Sequence, residues 1–323
     1  MRSAIIATVL NELLHVREFL ASVEAQSRHP DVVVITDGGS TDGTQDVLQD
    51  FASSTHLAFR WELVQGNRSR GRNAAIRLAD ADAIAVTDVN VLEPQWFERI
   101  VGPLERGEAD VVAGWYEPIA DTARERAMGL MTLYSLEQID TDSFVPASRS
   151  IAFTRAAWER VRGYEERLDM AEDTYLVLAM RRAGLRFVFE PSAVVRCWTS
   201  SNVREAFRTY RQYAYSDGRA RLLGAPQTHY AHLYGAYGVG FVLVVLGFWW
   251  PLAWIPLIAG AMAYVVYRIR KVLQARLSAQ MPYSIVVALA VDLAQMVGYA
   301  EGRAHPIAGR PGASVAADPS SDP

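Results

Sequence analysis

Carboxylates stand where several apolar runs of this sequence end, each beside glycine, serine or arginine. That placement suits the capture of a phosphorylated ligand. Asp37-Gly-Gly-Ser-Thr-Asp-Gly43 follows the run Val32–Ile35. Its glycines, Gly39 among them, let backbone approach a ligand, and Asp37 can accept a hydrogen bond from a base or ribose. The same residues also suit a tight strand-to-helix turn capped by Ser40 or Thr41. Thr8-Val-Leu-Asn-Glu12 closes the preceding apolar run, so two neighbouring strand ends face the same crevice. In Gly66-Asn-Arg-Ser-Arg-Gly-Arg-Asn73, Arg68, Arg70 and Arg72 can neutralise a diphosphate with help from a helix N-terminus. A solvated basic loop is the alternative there. In Thr87-Asp-Val-Asn90, Asp88 can hold Mg²⁺ or Mn²⁺ against diphosphate oxygens, with Asn90 as a neutral donor where such sites favour a second acid. Glu172 and Asp173 open a helix, where negative charge complements the dipole and where a general base can reach a cleft.

Other candidates carry less. Asp80-Ala-Asp82 precedes an apolar run instead of following it, and Asp140-Thr-Asp142 has no strand before it. His229 and His232 belong to no His-Glu-x-x-His pattern, and Cys197, the only cysteine, reads as a core residue and excludes a disulfide framework. The net charge of −4 gives no support for nucleic-acid binding.

The elements that position these residues follow from hydrophobic spacing. Continuous apolar runs at 4–9, 32–35 and 83–86 predict strands buried on both faces. Strand-like stretches at 57–64 and 110–115 join them, and helical spacing fills 13–26, 44–51, 70–79 and 94–104. Alternation of strand and helix predicts an α/β domain over 1–202 with a mostly parallel sheet, whose ligands gather beyond the carboxyl ends of the strands. Arg2 before Ala4–Leu10 faintly resembles a secretion signal, but the run is short and no small-residue cleavage site follows, so a first strand is expected.

A second region begins near 203. Residues 203–228 hold a basic amphipathic helix carrying Arg204, Arg208, Arg211, Arg219 and Arg221. It is expected to lie on a membrane surface in preference to packing on the soluble domain. Tyr234 to Tyr267 contains no charged residue, and as one helix would reach roughly 50 Å, longer than the hydrocarbon core. Gly247-Phe-Trp-Trp-Pro251 sits in its middle, so the region 229–300 is read as a transmembrane hairpin of spans near 230–248 and 252–268. Arg268, Arg270, Lys271 and Arg276 follow without a negative charge and are expected in the cytoplasm. A hairpin returns the chain to its starting side, so residues 1–228 are expected there as well. A stretch near 282–299 can supply a third span, or a re-entrant or interfacial helix, and its Asp292 should face protein or water. Residues 301–323 read as a disordered tail.

Taken in order, Thr8–Glu12, Asp37–Thr44, Gly71-Arg-Asn73, Thr87-Asp88, Ser148-Arg-Ser150 and Glu172-Asp173 resemble the motifs of the family 2 inverting glycosyltransferases. The resemblance covers roughly residues 3–220. It implies a glycosyltransferase A-type domain that binds a nucleotide-diphospho-sugar, UDP-linked by preference. It also implies donor contacts from Thr8, Leu10, Glu12, Asp37, Gly39, Arg70, Arg72, Asn73, Ser148 and Arg149. Asp88 matches the first acid of the metal motif and Asp173 the catalytic base, with Glu172 beside it. Asn90 departs from the motif's last acid. Gln212-Tyr-Ala-Tyr-Ser216 lacks the Arg-Trp pair of the processive synthases, which argues against long-chain synthesis. The expected enzyme is a multi-pass cell-membrane protein that transfers one sugar, with inversion, to a hydroxyl of a lipid-linked or glycan acceptor. A polyprenyl phosphate acceptor, or a catalytically weakened membrane adaptor, are the alternatives.

Overall fold

The structure, a computed structural model, describes residues 1–133, 136, 139, 144–220 and 225–306. It divides into two compact units, Met1–Glu117 with Leu136–Trp198, and Pro118–Ser135 with Thr199–Ala308.

The first unit is a sheet of eight strands covered by helices. In chain order these are β1 (Ser3–Val9), α1 (Val16–Glu24), β2 (Val32–Asp37), α2 (Thr44–Ser54), β3 (Phe59–Leu63), α3 (Arg68–Ala79), β4 (Ala83–Val86), β5 (Val91–Leu92), α4 (Trp96–Glu105) and β6 (Val111–Ile119). After α5 (Ala123–Thr132), which belongs to the second unit, come β7 (Ile151–Thr154), α6 (Arg155–Arg160), α7 (Glu172–Arg182) and β8 (Phe187–Trp198). The strands lie in the order β3-β2-β1-β4-β7-β6-β8-β5. Ala4 to Ala7 are fully buried because helices cover both faces, as their unbroken apolar run requires. On α1, Val16, Phe19, Leu20 and Val23 fall on one face and are buried.

From β3 to β4 the sheet is parallel, with Val9 opposite Asp37 and Ile6 opposite Val86. Beyond β4 it turns antiparallel. Ile151 pairs with Val86, and β6 runs antiparallel to β7. This reversal matters for the site. An antiparallel β7 is entered from the edge at which β1, β2 and β4 end, so Ser148–Ser150 arrives beside their carboxyl ends. Asp80 and Asp82 sit at the opposite edge, where Arg2 donates its backbone N–H to Asp82 at 2.8 Å and pairs with Asp80 at 3.7 Å. Asp140 and Asp142 lie outside the described residues. Cys197 is buried, as its reading as a core residue required.

Helix α1 starts at Val16 and not at Leu13, because the preceding backbone is engaged elsewhere. Asn11 is left-handed (φ 56°) and donates N–H to Ser40 Oγ, while Glu12 and Leu13 donate to Thr44 Oγ1 and Asp42 Oδ2. These bonds stitch the loops after β1 and β2 together. Helix α3 approaches the same two strands closely. A Cβ on Gly71 would lie 2.8 Å from Thr8 Cγ2 and 2.9 Å from Thr36 Oγ1.

The second unit holds α5, capped by a reciprocal Thr122–Glu125 box, then α8 (Val203–Ala220), α9 (Ala225–Gly247), α10 (Trp254–Gln274) and α11 (Met281–Ala304). Gln227–Gly247, Pro251–Gln274 and Ser278–Ala304 are each long and apolar enough to cross a membrane. The expected turn at Gly247–Pro251 is present, and Trp254 Nε1 closes it on the Gly247 carbonyl at 3.1 Å. Trp249 and Trp250 are exposed. Helix α10 continues past 268, so Arg268, Arg270 and Lys271 occupy its last turns and not a loop. Asp292 is fully buried and accepts from Tyr237 Oη at 3.1 Å, from Tyr264 Oη and from Arg268, so it faces protein. The expected tail is corrected at its start, since α11 keeps 301–304 helical; Arg221 and residues 307–323 lie outside the described residues.

Gly71→Val forces a branched side chain against the short, stiff Thr8 and Thr36, which cannot swing aside. It should cost about 1–3 kcal/mol, as overpacking does. Thermal unfolding checks this, and an unchanged midpoint would contradict the close approach of α3.

Candidate active site

The carboxyl ends of β1, β2 and β4, the start of β7, and the N-termini of α3 and α7 meet within the first unit. Their centre is Arg72. Its side chain is 1% exposed, and it donates to Asp88 Oδ1 at 2.5 Å and to the Glu172 carboxylate. The guanidinium lies 5.4 Å from the centre of the Tyr164 ring. Arg72 therefore reaches inward from α3 to join the end of β4 to the start of α7; its two terminal nitrogens are engaged by protein carboxylates, and its Nε has no partner among the described residues.

That cation shapes both acids. Burial pushes the Asp88 carboxyl up, but Arg72, Arg68 and Arg149 outweigh it and hold its pKa below the ordinary value. Burial, then the neighbouring Asp173, raise Glu172 to about 7 despite Arg72. Asp173 is half-buried. Its Oδ2 accepts from Ser148 N–H at 3.2 Å and its Oδ1 from Thr174 N–H at 2.7 Å. Of the adjacent pair, Glu172 is thus enclosed at 3% exposure and Asp173 is the more exposed.

The other sequence-selected residues divide into those with capacity left and those without. Asp37 is fully buried, and its Oδ1 accepts from Gly39 N–H, Ser40 N–H and Gln45 Nε2. This makes the turn itself, with Gly39 left-handed at φ +108°, yet Oδ2 has no partner. Thr8 is half-buried at the end of β1, and Leu10 is exposed. Arg70 is exposed near Gly66, and its N–H donates to the α3 cap, Asn67. Ser148 is buried, with its Oγ 3.0 Å from Tyr164 Oη. The Arg149 carbonyl accepts from Thr87 Oγ1 at 2.9 Å, and its guanidinium lies 5.4 Å from the Tyr116 ring centre.

Asn73 points away from this group. Its Nδ2 donates to the Tyr164 carbonyl and Glu166, and its Oδ1 accepts from Tyr164 N–H and Trp158 Nε1. With two donors and two lone pairs engaged, it fixes the Gly163–Tyr164 turn and has nothing left to offer a ligand. The spacing of residues also gave no sign of Tyr164, which lies under Arg72 and against Ser148. Only a contact between positions far apart in the chain reveals it.

Among the described residues no group of three His, Cys, Asp or Glu side chains is placed to enclose a metal. Asp88 is one ionised carboxylate, about a third exposed, and the Asn90 amide beside it is buried with its Nδ2 unpartnered. The amide NH2 cannot ligate a hard cation, so the fit to Mg²⁺ or Mn²⁺ rests on the Asp88 carboxylate, with the remaining oxygen ligands left to phosphates and water, the usual manner for a hard cation at a phosphate site.

A family model described as glycosyl transferase family 2 matches residues 4–168. The O-antigen chain rhamnosyltransferase RfbN of Salmonella typhimurium is 23% identical over 204 residues, which span 59% of this chain and 64% of that protein. The solved mannosyltransferase PcManGT of Pyrobaculum calidifontis, in complex with GDP-Man and Mn²⁺, superposes with a TM-score of 0.55 at 19% identity, covering 90% of this chain and 87% of its own. GalNAc-T7 with UDP, GalNAc and Mn²⁺ gives 0.51 at 12% identity, covering 68% and 48%. These likenesses bear out the expected glycosyltransferase A-type fold.

Glu12 supplies a test of the crevice. Burial, then Asp88, raise its pKa to about 7. Between pH 5 and 7 the folded protein then keeps a proton that the unfolded chain loses, so this residue's contribution to stability falls as pH rises. Glu12→Gln should shrink the drop in melting temperature between pH 5.5 and 7.5. A variant as pH-dependent as the wild type would contradict the placement of Glu12 beside Asp88.

Proposed function

The chain belongs to glycosyl transferase family 2, and on that premise we propose that it transfers one sugar, with inversion, from a nucleotide-diphospho-sugar to a hydroxyl of a lipid-linked or glycan acceptor at a membrane. The observation that carries this reading is the division of labour between Glu172 and Asp173. Arg72 encloses the first, and the second is half-buried and outside that ion pair. A base must lie within hydrogen-bond reach of the proton it takes.

In this reading Asp37 Oδ2 receives an N–H of the donor's base, with UDP-sugars expected first. Arg68, Arg70 and Arg149 face the diphosphate and stabilise the negative charge that grows on it as it leaves. Asp173 takes the proton of the acceptor hydroxyl while that oxygen attacks the anomeric carbon from the side opposite the leaving group. Asp88 and Asn90 would hold Mg²⁺ or Mn²⁺, which when bound supplies positive charge to the diphosphate. Glu172 supports the site through Arg72.

The apolar helices of the second unit support a multi-pass membrane anchor. Arg268, Arg270, Lys271 and Arg276 favour the cytoplasmic side for the feet of the hairpin and for the glycosyltransferase unit. O-antigen rhamnosyltransferase relatives make a cell-envelope glycan the natural acceptor class.

Asp173→Asn keeps the shape of the side chain and removes its basicity. Donor binding, read by calorimetry with UDP- and GDP-sugars, should stay near wild type, while turnover should fall at least ~10²-fold, as for loss of a general base. Near wild-type transfer by this variant would overturn the assignment and favour a phosphate acceptor, which needs no deprotonation.

A further inference from the structure

Length and composition leave the path of α11 open, but its contacts do not. The hairpin formed by α9 and α10 has its feet at the start of α9 and the end of α10. Helix α11 begins at the α10 foot, since only the six residues 275–280 separate the two helices. In mid-helix, Asp292 meets Tyr237 of α9 and Tyr264 and Arg268 of α10. Farther on, Tyr234 Oη donates to the Met296 carbonyl at 2.5 Å, and Tyr299 stacks on Tyr230 at 4.0 Å, at the α9 foot. A third span antiparallel to α10 would carry Tyr299 up to the Trp249–Pro251 tip. Instead α11 joins one foot to the other.

Helix α8 gives a second, independent reason. Ala206 packs with Val287 and Val291, Arg211 pairs with Glu301 at 2.7 Å, and Arg219 Nε donates to the His305 carbonyl at 3.3 Å. The two helices thus run parallel and side by side. Glycine lets them approach closely, for a Cβ on Gly218 would lie 2.6 Å from the Tyr299 carbonyl oxygen. If α11 crossed the bilayer, α8 would have to cross beside it. Arg204, Arg208 and Arg211 are exposed on α8, and charged side chains at hydrocarbon depth are costly. The exposed side of α11 is a single apolar stripe of Val286, Leu289, Leu293 and Val297. A helix that packs one side on protein and exposes such an apolar stripe on the other suits the boundary between headgroups and acyl chains.

We propose that α11 lies in the plane of the membrane surface beside α8, its apolar stripe in the acyl boundary and the α8 arginines at the lipid headgroups, and joins the feet of a hairpin that alone crosses the bilayer. The chain then crosses twice, and His305 emerges on the side from which α9 enters. The inference rests on the membrane reading above.

The test uses the full chain with Cys197→Ser, reconstituted in phosphatidylethanolamine–phosphatidylglycerol vesicles and spin-labelled at Val286→Cys or Val297→Cys. These positions are about 16 Å apart along a helix axis. Equal immersion depths for the two labels are expected; depths differing by most of that distance would overturn the proposal. Impermeant maleimide should reach Ser278→Cys and His305→Cys from one side and Trp250→Cys from the other. Reaction of 305 on the side of 250, with 278 opposite, means three crossings and refutes this inference alone. Reaction of all three positions on one side refutes the membrane hairpin as well. A reporter protein that fluoresces only in the cytoplasm, fused after Pro323 of the otherwise unaltered chain, repeats the test without cysteine replacement. Fluorescence is expected, and a dark fusion in a chain that inserts and expresses normally would overturn the proposal.

Discussion

A guanidinium almost wholly removed from water holds the crevice together. Arg72 cannot discharge, and burying a cation alone costs several kcal/mol. Its burial is tolerable only because Asp88 and Glu172 accept its hydrogen bonds. That requirement draws three elements from distant parts of the chain to one point: α3, the end of β4 and the start of α7. It also sorts the acids. Asp88 is held below its ordinary pKa, Glu172 is enclosed with a raised one, and Asp173, one residue on, stands outside the ion pair.

The close fit of α3 serves the same end. Gly71 lets the helix rest on Thr8 and Thr36, and one residue later Arg72 can reach inward. Asn73 then fastens the Gly163–Tyr164 turn, which brings the Tyr164 ring under the guanidinium. A run that looks like a phosphate-binding loop is thus partly a packing device. Of its other arginines, Arg70 is exposed and Arg68 half-buried.

Much of this was legible in the residues. Apolar runs located β1, β2 and β4, and the rule that ligands collect beyond strand ends separated Asp88 from Asp80 and Asp82. The Gly247–Pro251 turn and the inward aim of Asp292 followed from the cost of bare charge and broken helix in lipid. Other features were not legible, for physical reasons. Spacing alone does not tell which of Arg68, Arg70 and Arg72 faces the core, because that depends on how α3 rolls against the sheet. The antiparallel β7 has no local signature, yet it brings Ser148 and Arg149 to the crevice. The satisfied amide of Asn73 depends on Trp158 and Tyr164, far along the chain. The contacts of α11 are made by tyrosines of α9 and α10 and by Gly218 of α8, and its own hydropathy matches that of a span.

The most direct test of the Arg72 account is a double-mutant cycle on unfolding free energy in detergent, using Arg72→Gln, Glu172→Gln and the pair. Arg72→Gln alone leaves two carboxylates without their buried partner and should cost about 3–5 kcal/mol. The two changes together should be less harmful than their sum, with a coupling of about 1–3 kcal/mol. A wild-type midpoint for Arg72→Gln, or a cycle that closes with no coupling, would contradict the claim that this buried cation organises the site.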